Sequence, residues 1–239
     1  MKGPDKYGSD SSKRLFEVNE IFFDFEGTVV DFQWRLGPAV EECLTALDQA
    51  GFDRTWYGDN PGYTHIYNFT LKLAKDGKGN SDPSSARAII DTIYDRYDAD
   101  ALSRWNLYLD TIDVLKTLRE SGFRMGIVSN VGKVSLQAAM ERLNLSGLVD
   151  VVISRNDVKR IKPHPEGLIR AAEELEVNTA QSIFIGDSRN DVSAAREAGM
   201  LAGYISGGED APEDMIRFPA DLEIERLSQL PSFIAKITS

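Results

Sequence analysis

The chain has 239 residues, 42% of them hydrophobic and 27% charged, a make-up that suits a globular protein with one full core and a smaller appended unit. A net charge of -11 and a pI near 4.7 exclude the clustered Lys and Arg surface that binds phosphate backbones, so no nucleic-acid partner is expected. No apolar run approaches the length of a membrane span, the opening "MKGPDKYGSDSSKR" lacks a signal-peptide apolar region, and the single Cys43 cannot form an intrachain disulfide. A cytoplasmic protein without a membrane partner is the expectation.

Residues 1–14, rich in Gly, Ser, Asp and Lys, read as a disordered tail. The first strand candidate, Ile21 to Phe25, is β-branched and aromatic and runs into Gly-Thr. From residue 32 to 105 the pattern changes. "PAVEECLTALDQAG", "GYTHIYNFTLKLAKDG" and "SSARAIIDTIYDRYD" carry helical spacing with no convincing strand between them, joined by "DNPG" and "DGKGNSDP" turn chemistry. Strand candidates then return at Arg124 to Ser129, Val151 to Ser154, Ser182 to Asp187 and Leu201 to Ile205, alternating with amphipathic helix candidates. The last segment, "ADLEIERLSQLPSFIAKI", reads as a short edge strand and a closing helix. The fold expected is therefore α/β: a Rossmann-like parallel sheet flanked by helices, formed by residues 15–31 and 106–239, with an inserted α-helical unit at 32–105.

In a parallel α/β sheet, ligands bind beyond the C-terminal strand ends. Those ends carry Asp24 and Glu26, then Ser129 and Asn130, then the loop with Lys162 and Pro163, then Asp187 with Asp191 one helical turn later. Two carboxylates at one strand mouth repel each other and lose solvation unless a cation or ligand offsets the cost. Three acids at strand ends can hold a hard divalent cation such as Mg²⁺, and a hydroxyl and an ammonium nearby can hold phosphoryl oxygens. A carboxylate left facing phosphorus is then a nucleophile able to form an acyl-phosphate.

The stretches "DFEGTVVD", "IVSN", "IKPHPEG" and "GDSRNDVSAAREAGM" resemble, in order and spacing, the four motifs of the haloacid dehalogenase (HAD) superfamily. The last of them looks most like the phosphoglycolate-phosphatase branch, and the helical insert stands where that family carries a small helical cap. The resemblance implies a phosphatase acting on a small phosphorylated metabolite with Mg²⁺ as cofactor. Asp24 would be the nucleophile, Glu26 the general acid and base, and Lys162 the cation that neutralises the transferring group. Ser129, with Asn130 beside it, and Lys162 would bind phosphate, with Thr28 supporting the turn. The metal would be held by Asp24, the backbone carbonyl of Glu26 and Asp187, with Asp191 orienting a metal-bound water or Lys162. Phosphatases of the family place aspartate where this chain has Glu26, and one extra methylene displaces the carboxyl by roughly an ångström. An active phosphatase, a slow enzyme whose acyl-phosphate persists, and a phosphate-binding protein with little turnover all follow from that departure. A β-phosphoglucomutase-like phosphotransferase shares the motifs. A 2-haloacid dehalogenase typically carries tyrosine at the Glu26 position and needs no metal, so Glu26 and "GDSRND" count against it.

Trp34, Arg35, Trp56, Tyr57 and Tyr63 are the insert residues most able to meet a substrate, although core packing is the default for aromatics. His65 reads as cap packing, His164 as structural, and Cys43 as a small core residue. The sequence does not give the oligomeric state or the substrate.

Overall fold

The computed structural model describes residues 18–238, with side chains described through Ile234; the tail expected at residues 1–14 lies outside the described residues. Six strands form one sheet: β1 (Glu20–Phe23), β2 (Arg124–Val128), β3 (Val151–Ile153), β4 (Ser182–Gly186), β5 (Leu201–Ile205) and β6 (Leu222–Ile224). Their order is β3-β2-β1-β4-β5-β6, and every adjacent pair is parallel. Both faces of β1 are covered, with Ile21, Phe22 and Phe23 fully buried, as expected for the centre of a parallel sheet.

Each of the first four strands stops before the boundary that hydrophobic pattern suggests. β1 ends at Phe23, two residues short of Phe25, while β2, β3 and β4 each end one residue early, just before Ser129, Ser154 and Asp187. The reason is local. Asp24 still donates its N–H to the Ile185 carbonyl at 2.8 Å, but the chain then turns, and the Phe25 carbonyl accepts from Val29 and Val30 at 2.9 and 3.0 Å. Phe25 packs edge-on against Trp105, with centroids 5.3 Å apart, instead of continuing the ladder.

Three helices lie between β1 and β2 in the inserted segment: α1 (Leu36–Gln49), α2 (Tyr63–Lys75) and α3 (Pro83–Leu102). They pack on one another through an apolar interior that includes Cys43, Leu47, Ile66, Tyr67, Ile90 and Tyr94. The inbound and outbound connections run side by side: Val30 bridges Leu107, and Asp31 and Asn106 exchange bonds of 2.9 and 2.7 Å. The remaining helices are α4 (Thr111–Glu120), α5 (Lys133–Arg142), α6 (Glu166–Glu174), α7 (Arg189–Ala198), the short α8 (Pro212–Met215) and α9 (Leu230–Thr238). Helix α6 packs on β2 and β3, and α7 on β4 and β5. Gly199 closes α7 in a left-handed conformation (φ 78°), the backbone that glycine adopts without strain.

The chain leaves β1 towards β2 and β3 on one side and later adds β4 on the other. The crevice beyond β1 and β4 is thus the switch point of the sheet, where ligands bind in open α/β folds.

Candidate active site

Asp24 and Asp187, the first residues past β1 and β4, stand on the two sides of that crevice, and Asp191 rises from the first turn of α7. All three are buried, and one carboxylate oxygen from each lies within 4.8 Å of the others. Lys162, 4% exposed, reaches them from the loop before α6, with Nζ 2.6 Å from Asp24 Oδ1 and 2.7 Å from Asp191 Oδ1. Asp191 is itself oriented by Ser188, whose N–H and hydroxyl donate to Oδ2 at 3.0 and 2.7 Å.

One ammonium therefore pairs with two of the three buried carboxylates, and Asp187 is the one without it. Burial, with Asp191 and Asp24 close by, pushes the Asp187 carboxyl well above the usual range. Burial also raises Asp24 to about 6 against the opposing pull of Lys162, and the two acids hold Lys162 firmly protonated despite its own burial. The backbone makes room for this crowding. A Cβ on Gly27 would stand 2.0 Å from Asp187 Oδ2 and one on Gly208 1.9 Å from it, so two glycines form the walls around that carboxylate. No backbone N–H among the described residues is bonded to the Glu26 carbonyl, which leaves an oxygen acceptor at the same turn. Three buried acids, an unused carbonyl and a shortage of positive charge form a donor set suited to Mg²⁺.

Glu26 lies at the neck of the helical insert. Its Oε1 accepts from the N–H groups of Gln33 and Trp34, both at 2.6 Å, and from Trp105 Nε1 at 2.9 Å. Those donors sit on the inbound and outbound connections, a reach that the longer glutamate side chain permits. Its Oε2 has no protein partner among the described residues. Burial raises the Glu26 carboxyl to about 7 in spite of the three donors, which brings it close to neutral pH.

Ser129 follows β2 with its hydroxyl accepting from the Val131 N–H at 3.2 Å. Asn130 fixes the loop that carries Lys162: its Oδ1 accepts from the Lys162 N–H at 3.1 Å, and its Nδ2 donates to the Lys162 carbonyl at 3.3 Å and to the Tyr63 hydroxyl at 3.2 Å. Asp24, Glu26, Ser129 and Asn130 all line one cavity of about 30 Å³, while Thr28 does not. The Thr28 side chain is fully buried in the turn and its hydroxyl finds no partner. A larger cavity, about 980 Å³, lies elsewhere along the seam between the insert and the sheet domain, lined by His65, Lys72 and His164 among others. It contains none of the strand-end acids, so the chemistry lies with the smaller space.

Two groups that the sequence did not single out complete the walls. Glu209, in the loop after β5, lines the cavity and donates its N–H to Asp187 Oδ2; burial and the acids around it raise its own carboxyl to about 8. It follows the fifth strand, so the strand-end rule applied there would have found it. Arg155, just past β3 and 1% exposed, binds Asp91, Asp95 and Asp98 of α3, and Asp98 is equally buried. These contacts, with the Asn68 side chain accepting from and donating to the Ile161 backbone at 3.0 and 2.9 Å, hold the insert against the sheet domain. Nothing in the sequence pairs Arg155 with acids about 60 residues earlier.

The model of the haloacid dehalogenase-like hydrolases matches residues 19–199. The chain belongs to this superfamily of hydrolases. It is 30% identical over 204 residues to the phosphoglycolate phosphatase of Salmonella choleraesuis, an alignment covering 78% of this chain and 80% of that protein. A phosphoglycolate phosphatase of Salmonella typhi is 31% identical over 202 residues, covering 78% and 80%. A haloacid dehalogenase-like hydrolase from Bacteroides fragilis superposes with a TM-score of 0.62 at 25% identity, covering 89% of this chain and 99% of that one. Within the superfamily the chain is therefore phosphoglycolate-phosphatase-like, an enzyme of the phosphoric monoester hydrolase class. No helix among the described residues is long and apolar enough to cross a membrane.

Proposed function

We propose that the protein is a Mg²⁺-dependent phosphatase that hydrolyses a small phosphomonoester, phosphoglycolate-like or a sugar phosphate, through an aspartyl-phosphate on Asp24. The observation that carries this reading is the buried contact of Asp24 with Lys162 at 2.6 Å, beside Asp187 and Asp191 and facing the cavity that Glu26 and Ser129 share. Asp24 Oδ1 is held by the ammonium, which leaves Oδ2 as the attacking oxygen. Lys162 and the Ser129 hydroxyl would hold phosphoryl oxygens, and Asn130 keeps Lys162 in place. Glu26 Oε2, free of protein partners, would protonate the leaving oxygen and then take a proton from the attacking water. A carboxyl near 7 is suited to both duties. Asp24, the Glu26 carbonyl and Asp187 would hold Mg²⁺, with Asp191 steering Lys162; the ion would supply positive charge for phosphoryl oxygens.

The three helices at 36–102 would act as a cap that closes over the cavity. A space of about 30 Å³ holds a water or two, so a phosphate ester enters only when the cap moves. The test is hydrolysis of p-nitrophenyl phosphate by the purified chain. Activity should vanish in EDTA, return with Mg²⁺, and be absent in Asp24→Asn. Full turnover in chelator, or by Asp24→Asn, would overturn the proposal.

A further inference from the structure

The walls of the small cavity limit what the phosphate can be attached to. Among the described residues Arg155 is the only Lys or Arg that lines it, and every guanidinium nitrogen is engaged: Nε with Asp91 at 3.1 Å, Nη1 with the Asn130 carbonyl at 2.8 Å, and Nη2 with Asp95 and with Asp98 at 2.9 Å. Lys162 beneath is shared by Asp24 and Asp191. Among the described residues, no cation lining the cavity is left for a second anionic group on the substrate. Such a group would instead face the carboxyls of Glu26, Asp98 and Glu209 in a site of low dielectric, where an anion without a counter-charge is costly to bury.

The same walls offer partners for neutral hydroxyls. Trp34 is 8% exposed and lines the cavity, and its Nε1–H is a buried donor with no acceptor among the described residues. The Tyr63 hydroxyl accepts from Asn130 and keeps its own proton to donate. Carboxyl oxygens of Glu209 and Glu26 can accept. Unmade bonds of this kind discriminate well, because a ligand lacking the matching group leaves them unpaired.

Resting on the phosphatase reading above, we propose that the leaving group is an uncharged, hydroxylated alcohol of the sugar or polyol kind, and that Trp34 and Glu209 select it over one bearing a carboxylate. Trp34 donates to a hydroxyl oxygen and Glu209 accepts a hydroxyl proton. Glu209 brings no positive charge, so a carboxylate at the same place would be buried without a counter-charge. The relatives named for phosphoglycolate would then differ from this chain in the leaving group that they take.

The experiment uses the full chain with Mg²⁺. Hydrolysis of p-nitrophenyl phosphate comes first and tests the phosphatase reading alone; its absence would remove that reading and this one with it. With turnover established, kcat/KM is compared for glycerol 3-phosphate and 2-phosphoglycolate. The polyol ester should lead by at least about tenfold, the scale on which a site discriminates by one matched polar group. Glu209→Lys, which supplies the missing cation, should shift the ratio towards 2-phosphoglycolate by about tenfold or more, and Glu209→Gln, which adds no cation, should move it far less. Equal or better use of 2-phosphoglycolate by the wild type, or a ratio unmoved in both variants, overturns the proposal.

Discussion

Glu26 does two things with two oxygens, and substitution separates them. Its Oε1 holds both connections of the helical insert through Gln33, Trp34 and Trp105, whereas its Oε2, without a protein partner among the described residues, is the oxygen proposed for proton transfer. Glu26→Asp keeps an acid but withdraws it by about an ångström, too far to serve all three donors. At pH 8, where Glu26 is ionised, hydrogen bonds to it are each worth about 1.5–3 kcal/mol net, and a buried donor left unpaired costs about 1–3 kcal/mol. Losing two of the three, with some relaxation, should destabilise the fold by roughly 2–5 kcal/mol. At about 2–4 °C per kcal/mol for a chain of this size, the melting temperature should fall by roughly 5–15 °C. Glu26→Gln keeps the reach and an acceptor oxygen, so it should melt much closer to wild type while turnover falls by roughly 10²–10⁴-fold for want of the proton. Thermal melts in EDTA, followed by p-nitrophenyl phosphate kinetics in Mg²⁺, separate the two effects. If Glu26→Asp melted within 2 °C of wild type, or if the two variants lost equal stability, the neck contact would not be holding the insert.

Other outcomes follow from the same charges. Because the folded Glu26 keeps its proton to about 7, against an ordinary 4.5, the folded state binds more protons than the unfolded one between those values. Stability attributable to Glu26 therefore falls as pH rises through that window; melts of wild type minus Glu26→Gln, taken in EDTA from pH 4.5 to 8, should decline, and a flat difference would contradict the burial argument. Mg²⁺ should raise the melting temperature more at pH 8 than at pH 5, since it favours the ionised forms of Asp24 and Asp187, and an equal shift at both would argue against those ligands. Arg155→Met leaves Asp98 buried beside two other acids without its partner, at a cost of about 3–5 kcal/mol, and adding Asp98→Asn should recover part of the loss. A melt of Arg155→Met unchanged from wild type would show that this cluster does not hold the insert down.

The sheet was legible because its strands are apolar on both faces and the helices between them keep a 3.6-residue period. Its ends were less so: hydrophobicity continues through Phe25, but that side chain packs on Trp105 and no longer forms part of the ladder. Asp24, Lys162, Asp187 and Asp191 could be grouped in advance because strand ends converge in this topology, and the structure bonds Lys162 to Asp24 and Asp191 and brings the three acids within 4.8 Å of one another. What the sequence could not carry was direction. The split of Glu26 between the neck and the cavity depends on donors up to 79 residues away, and the saturation of Arg155 on acids of α3 that only tertiary packing brings near. Glu209 was within reach of the rule used for the other strands.

The place of β1 in the sheet bears on how the chain is made. It precedes the other five described strands in the chain, yet Glu20 pairs with Arg124 on one side and with Ser182 on the other. The three helices of the insert contact one another within a short span of sequence and can assemble as soon as they emerge, while "EIFF" waits with both edges open. An apolar strand in that condition is a template for pairing with a neighbouring chain. Nascent chains halted between α3 and β4 should thus be the aggregation-prone species of this protein, and the helical insert, by spacing β1 from its partners, lengthens the time spent in that state.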